Sequence, residues 1–210
     1  MPHKRCRMLY YFHELDNVAK QTARDEWCEK LPRSEWWDCT FDDFIQIASI
    51  LGVEIDGGSR RNIEGEILIS EPSIFFSGFY HQGSGACFAG HYAYAKGWRE
   101  KLLSHAPQDK ELLDIGQQLQ EAQNGFFYRV TAEIKHIGCD NSMQITAYNG
   151  DYHVCEIIDG GEITSALRAL ASWLYNSLQE EYEYLTSNEA VTADIENCEG
   201  EFTQDGHIDR

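Results

Sequence analysis

The chain has 210 residues, 42% of them apolar and 12% aromatic, enough to bury a sizeable core without disulfide or metal staples. Thirty-five Asp and Glu oppose seventeen Lys and Arg, a formal net charge of -18 that argues against nucleic-acid binding and for a basic partner. No apolar run is long enough to cross a bilayer, and the basic start (Lys4, Arg5, Arg7) leads only into Leu9-Tyr10-Tyr11-Phe12, so a cytoplasmic protein is expected.

Residues 1–13 are expected to be peripheral or frayed. His13 to Leu31 places Leu15, Val18, Ala19, Thr22 and Trp27 at helical spacing and stops at Pro32. Thr40 then reads as the cap of a second helix, with Asp43 three residues on, Phe44, Ile47, Ala48 and Leu51 along one face, and Gly52 as the stop. Asp56 to Ser59 reads as a loop.

Three strands follow, Ile63 to Ser70, Ile74 to Tyr80 and Ala86 to Tyr94, each bounded by Gly, Pro or Ser. In the third, alternation predicts Ala86, Phe88, Gly90, Tyr92 and Tyr94 on one face and Cys87, Ala89, His91 and Ala93 on the other. His81 to Gly85 is the tip of a hairpin. Helices are predicted from Lys96 to His105 and from near Asp109 to Gly125, then strands at Phe126 to Ile137, Met143 to Tyr148 and Asp151 to Ile157, with Asn149-Gly150 as a type I′ turn.

The longest helix carries Ile163, Ala166, Leu167, Leu170, Leu174, Leu178 and Leu185 on one stripe. Glu181 falls within that stripe, which predicts that the helix passes the edge of its core there. A short helix runs from Ser187 through Ile195, and residues 199–210 read as frayed. The pattern is α+β: one domain over 1–210, an antiparallel sheet of about six strands packed by amphipathic helices, with no repeat or linker.

The seven cysteines are scattered without a C-x-x-C pair and read as reduced, mostly buried thiols. Around Ser77 to Cys87, Gly83-Ser84-Gly85 lacks the spacing of a nucleophile elbow, and Cys87 with His91 and His81 matches no usual zinc pattern. Phosphate-loop and dinucleotide fingerprints are absent from the sequence. No catalytic residue, metal or cofactor is therefore expected. The alternative is a small enzyme, or a metal- or ligand-binding module, using the His81 to His91 hairpin.

The negative charge is uneven. Residues 1 to 35 hold seven Lys or Arg against six acids, whereas from Glu180 onward ten acids face only Arg210. The candidate partner-binding residues are therefore Glu180, Glu181, Glu183, Glu189, Asp194 and Glu196, joined by Trp36 and Trp37, since tryptophans flanked by carboxylates can anchor an interface. Duplex DNA carries one charge per ~1.7 Å, so eighteen net charges match about 31 Å of duplex if gathered on one side.

Phe76-Ser77-Gly78-Phe79-Tyr80-His81-Gln82-Gly83-Ser84-Gly85-Ala86-Cys87-Phe88-Ala89-Gly90, Glu181-Tyr182-Glu183-Tyr184-Leu185-Thr186-Ser187-Asn188-Glu189-Ala190-Val191 and Phe202-Thr203-Gln204-Asp205-Gly206 carry a resemblance. Over about Phe41 to Gly206 the chain resembles a family of bacterial, plasmid and phage proteins often labelled antitoxin of a toxin-antitoxin stability system. That family's hairpin tip usually reads S-Q-G-D-G; here His81 stands for the serine and Ser84 for the acid. The resemblance implies a mobile-element protein that neutralises a partner. With the charge, the expected function is a non-enzymatic acidic inhibitor of a basic, nucleic-acid-handling toxin or defence nuclease, of antitoxin or anti-CRISPR DNA-mimic type.

Overall fold

The structure is a computed structural model that describes residues 8–29, 35–61, 67–138, 142–150, 156–158 and 160–208. It is α+β, and its contacts group the chain into two compact units. The larger is Cys39–Gln179; the smaller joins Met1–Asp38 to Glu180–Arg210. The chain crosses between them twice, at Asp38–Cys39 and at Gln179–Glu180, each time within a helix.

In chain order the elements are β1 (Tyr10–Tyr11), a 3-10 turn (Phe12–Glu14), α1 (Asn17–Cys28), α2 (Asp38–Leu51), β2 (Val53–Ile55), β3 (Gly58–Arg61), β4 (Ile67–Ser70), β5 (Ile74–Phe76), β6 (Ala86–Phe88) and β7 (Gly90–Ala93). Then come α3 (Trp98–His105), α4 (Lys110–Asn124), β8 (Val130–His136), β9 (Met143–Asn149), β10 (Glu156–Ile158), α5 (Gly161–Leu185), α6 (Asn188–Asn197) and β11 (Glu201–Phe202). No helix among the described residues is long and apolar enough to cross a membrane.

The larger unit is built on an antiparallel sheet in the order β10-β9-β8-β7-β2, with β3-β4 and β5-β6 as separate two-stranded ribbons. The strands thus divide among several small sheets. The reason lies at Ala89, where the predicted strand 86–94 changes partners. Ala89 donates to Ser73 O and accepts from Asp56 N, so β6 pairs with β5 and β7 pairs with β2 and β8. Gly90 permits the crossing, since a Cβ there would lie 2.1 Å from Glu54 O. Alternation consequently survives only over β7, while Ala86, Cys87 and Phe88 are all buried. Gly58 and Ser59, read as the end of a loop, instead open the strand Gly58–Arg61 that pairs with Ile67–Ser70.

The apolar stripes of α2, α4 and α5 face this unit's core: Phe44, Ile47, Ala48 and Leu51, then Leu112, Ile115 and Leu119, then Ile163 through Leu178 at helical spacing. Gly52 ends α2 with φ +90, as a left-handed terminator does. Thr40 does not cap α2, which begins at Asp38 and follows directly from the turn at Trp36-Trp37. Asp109 caps α4 by accepting from Leu112 N at 2.9 Å, and its other oxygen takes the Trp173 indole at 2.8 Å, tying α4 to α5. Asn149 pairs with Glu156, so the connection from β9 to β10 is longer than a two-residue type I′ turn; residues 151–155 lie outside the described part. Phe126 to Tyr128, expected to open a strand, form a turn.

The smaller unit packs α1 against α6. Leu15 is extended rather than helical, and Asp16 caps α1 by accepting from Val18 N and Ala19 N at 2.9 and 2.8 Å. The helices meet through Ala19, Ala23, Val191 and Ile195, small enough on the α1 side for close approach. Phe202 is fully buried among Phe12 and Trp27, their ring centroids 6.3 and 6.1 Å away. Residues 201–208, read as frayed, are therefore structured: β11 pairs with β1, Ile208 bridges Phe202, and Gly206 comes so close to α1 that a Cβ would lie 2.0 Å from Ala19 O.

Candidate partner-binding surface

All eight predicted partner-binding residues fall in the smaller unit. Glu180, Glu181 and Glu183 lie on the last turns of α5, and Glu189, Asp194 and Glu196 lie on α6, whose N-terminus Ser187 caps by accepting from Ala190 N at 3.2 Å. Buried positions on α5 stop at Leu178 and the two units divide between Gln179 and Glu180. Glu181, the acid on an apolar stripe, thus sits just past the end of the larger unit's core and is half-exposed.

The smaller unit has seventeen acids against eight Lys or Arg, the larger eighteen against nine, so each carries a net -9. About a third of the chain therefore holds half the net charge. The side chains of Glu180, Glu181, Glu189 and Glu196 make no hydrogen bond or ion pair among the described residues. Such unpaired carboxylates set up a field that draws cations and steers association.

Three of the eight residues also serve the fold. Asp194 accepts the Trp27 indole N–H at 2.6 Å, which couples α6 to α1. Trp36 packs on Tyr182 with ring centroids 5.5 Å apart and sets edge-on to Trp37 at 5.7 Å. Both tryptophans are half-buried, so their flanks remain open to solvent while their faces fix the turn before α2.

A cavity of about 400 Å³ that sequence reasoning missed lies in this same unit, at the C-terminal end of α6. Its walls come from Tyr11, Phe12 and His13 on one side and Ile195, Glu196, Glu199 and Gly200 on the other. The Tyr11 and His13 rings are nearly parallel, 6° apart in plane with centroids at 5.9 Å. Glu199 holds a left-handed φ of +51, fixed by its own N–H donating to Glu196 O and by Gly200 N–H donating to Ile195 O. The Glu199-Gly200 step after a helical run was the one local signal for it; the opposing wall, from a segment read as peripheral, carried none.

The hairpin considered as an alternative site closes on itself. Ser77 Oγ accepts Gly85 N–H at 3.0 Å, Ser84 N–H donates to His81 O, and Gly83 has φ +87. Cys87 is fully buried whereas His91 is exposed and lies 3.5 Å from Asp56, so the pair expected on one strand face occupies different environments. Among the described residues no three His, Cys, Asp or Glu converge to hold a metal. Of the described cysteines, expected to be mostly buried, Cys39 and Cys198 are exposed, one in the first turn of α2 and one at the cap of α6. Burial, with the Asp25 charge second, pushes the Cys28 thiol above its ordinary range and keeps it protonated.

No curated protein and no solved structure matches the chain. Residues 36–188 match one family, and that segment covers the larger unit and leaves out α1, β1, nearly all of α6 and β11. The match spans well over half of the sequence, and the chain belongs to the family described as domain of unknown function (DUF8835).

Proposed function

We propose that this protein is an acidic, non-enzymatic binding protein that occupies the basic surface of a nucleic-acid-handling partner, a toxin or defence nuclease, from the cytoplasm and as part of a mobile element. The observation that carries the reading is the concentration of unpaired carboxylates at the end of α5 and along α6, in a unit holding half the net charge. Charge complementarity of this kind raises association rates and selects partners, and its effect falls with salt. Trp36 and Trp37 supply apolar contact beside the charge.

The full chain is immobilised and challenged with extract of its host at low and high salt. Basic nucleic-acid-binding proteins are expected to be retained at low salt, released at high salt, and displaced by competing duplex DNA. Reversal of Glu180, Glu181 and Glu189 to Lys is expected to abolish retention with the fold unchanged by circular dichroism. Retention indifferent to salt and to the reversals would remove the basis for a charge-driven inhibitor.

A further inference from the structure

We infer that the cavity at the C-terminal end of α6 receives an arginine side chain of the basic partner, an assignment that rests on the acidic-surface reading above. Three features of the cavity agree on a cation, and one of them on a planar one. Tyr11 and His13 line it with their rings parallel to each other, centroids 5.9 Å apart, and a guanidinium stacks on aromatic rings where an ammonium has no plane to match. Glu196 and Glu199 line the other side, both exposed, and neither side chain makes a hydrogen bond or ion pair among the described residues; carboxylates in that setting accept the forked N–H groups of arginine.

The third feature is the backbone. The cavity lies where the carbonyl end of α6 carries partial negative charge, and the last turn of α6 contains no basic residue to offset it. Glu199 is held in a left-handed conformation that glycine adopts without strain and glutamate does not, which fixes its direction at the rim. The apolar floor of Phe12 and Ile195 suits the methylenes of the incoming side chain. All the lining residues lie outside the family-matched segment 36–188.

The test is an NMR titration of the isotope-labelled full chain with N-acetyl-arginine amide, its lysine counterpart and the neutral citrulline counterpart, beside oligolysine as a general polycation. Arginine is expected to shift the amide signals of Tyr11, Glu199 and Gly200 and to saturate in the millimolar range, with lysine about fivefold weaker and citrulline not saturating. Glu196→Gln and Glu199→Gln are each expected to weaken arginine about fivefold while leaving oligolysine within about twofold. Equal binding of citrulline, or shifts confined to other residues, overturns the pocket. Salt-sensitive oligolysine binding that is lost when Glu180, Glu181 and Glu189 are reversed to Lys, alongside no localised arginine binding, overturns the pocket alone. Absence of any salt-sensitive oligolysine binding overturns the broader reading whatever arginine does. A gain in arginine affinity on replacing Arg5 and Arg7 by Gln would assign the cavity to the chain's own side chains and overturn a partner's.

Discussion

The side-chain amide of Gln123 faces the main chain of Val130 as a neighbouring strand would: Nε2 donates to Val130 O at 2.7 Å, and Val130 N–H donates to Oε1 at 3.0 Å. The pairing is fully buried and closes the turn from α4 into β8, across which Phe127 and Tyr128 both adopt left-handed φ. Gln123→Leu would leave the N–H and C=O of Val130 buried without partners, each costing about 1–3 kcal/mol. A loss of about 2–4 kcal/mol in urea unfolding is expected; a loss under about 0.5 kcal/mol would mean that water reaches the turn.

Tyr92 couples the same amide to pH. Its phenol accepts from Gln123 Nε2 at 3.3 Å, and burial pushes its pKa up to about 12, the Gln123 hydrogen bond opposing and the Tyr94 charge adding. The folded value exceeds the unfolded one near 10, so the contribution is complete below pH 10 and lost between about pH 10 and 12, where only the unfolded state has released the proton. Up to about 2.7 kcal/mol is at stake over two pH units. Urea midpoints measured across that window should fall in the native chain and fall less in Tyr92→Phe.

Gly206 tests whether the acidic tail is part of the fold. Gly206→Ala sets a methyl against Ala19 O and imposes a side chain on φ +86. Both effects destabilise, together by about 2 kcal/mol or more. Hydrogen exchange should quicken in α1 and α6 with little change in β8 and β9. Uniform acceleration, or none, would contradict the packing of residues 201–208 on α1.

Asp194 should behave unlike the other candidate acids. Asp194→Ala removes the acceptor of the Trp27 indole and is expected to cost about 1 kcal/mol of stability. Glu180→Lys, Glu181→Lys and Glu189→Lys are expected to be neutral or slightly stabilising at low salt, because each relieves repulsion within a unit of net -9. Melting temperatures at low and high salt separate the two classes. Equal losses in both would mean that the glutamates also hold the fold.

Local periodicity carried most of the helical structure. The α5 stripe from Ile163 to Leu178 and the α2 face from Phe44 to Leu51 are buried as their spacing predicts, and Glu181 marks where the first core ends. Sheet pairing was less legible because it depends on distant partners. Nothing in Ala86 to Tyr94 signals that Ala89 hands the strand from β5 to β2, since that depends on Glu54 O approaching Gly90. The candidate acids could be read from composition, but the cavity beside them could not. Its two walls come from Tyr11-His13 and Ile195-Gly200, brought together by a cluster that includes Phe202, from a tail that reads as solvated acid.

Tyr10 pairs with Phe202, and α1 packs against α6. During synthesis at roughly 5–20 residues per second, the early segment therefore waits about ten seconds or more for its complement, with Phe12, Ala19 and Ala23 unsheltered meanwhile. The acidic surface is completed only after Phe202 has left the ribosome, so a chain stopped short of it would lack the assembled unit. Assembly of the smaller unit would then be confined to chains translated through that residue, a built-in check of length.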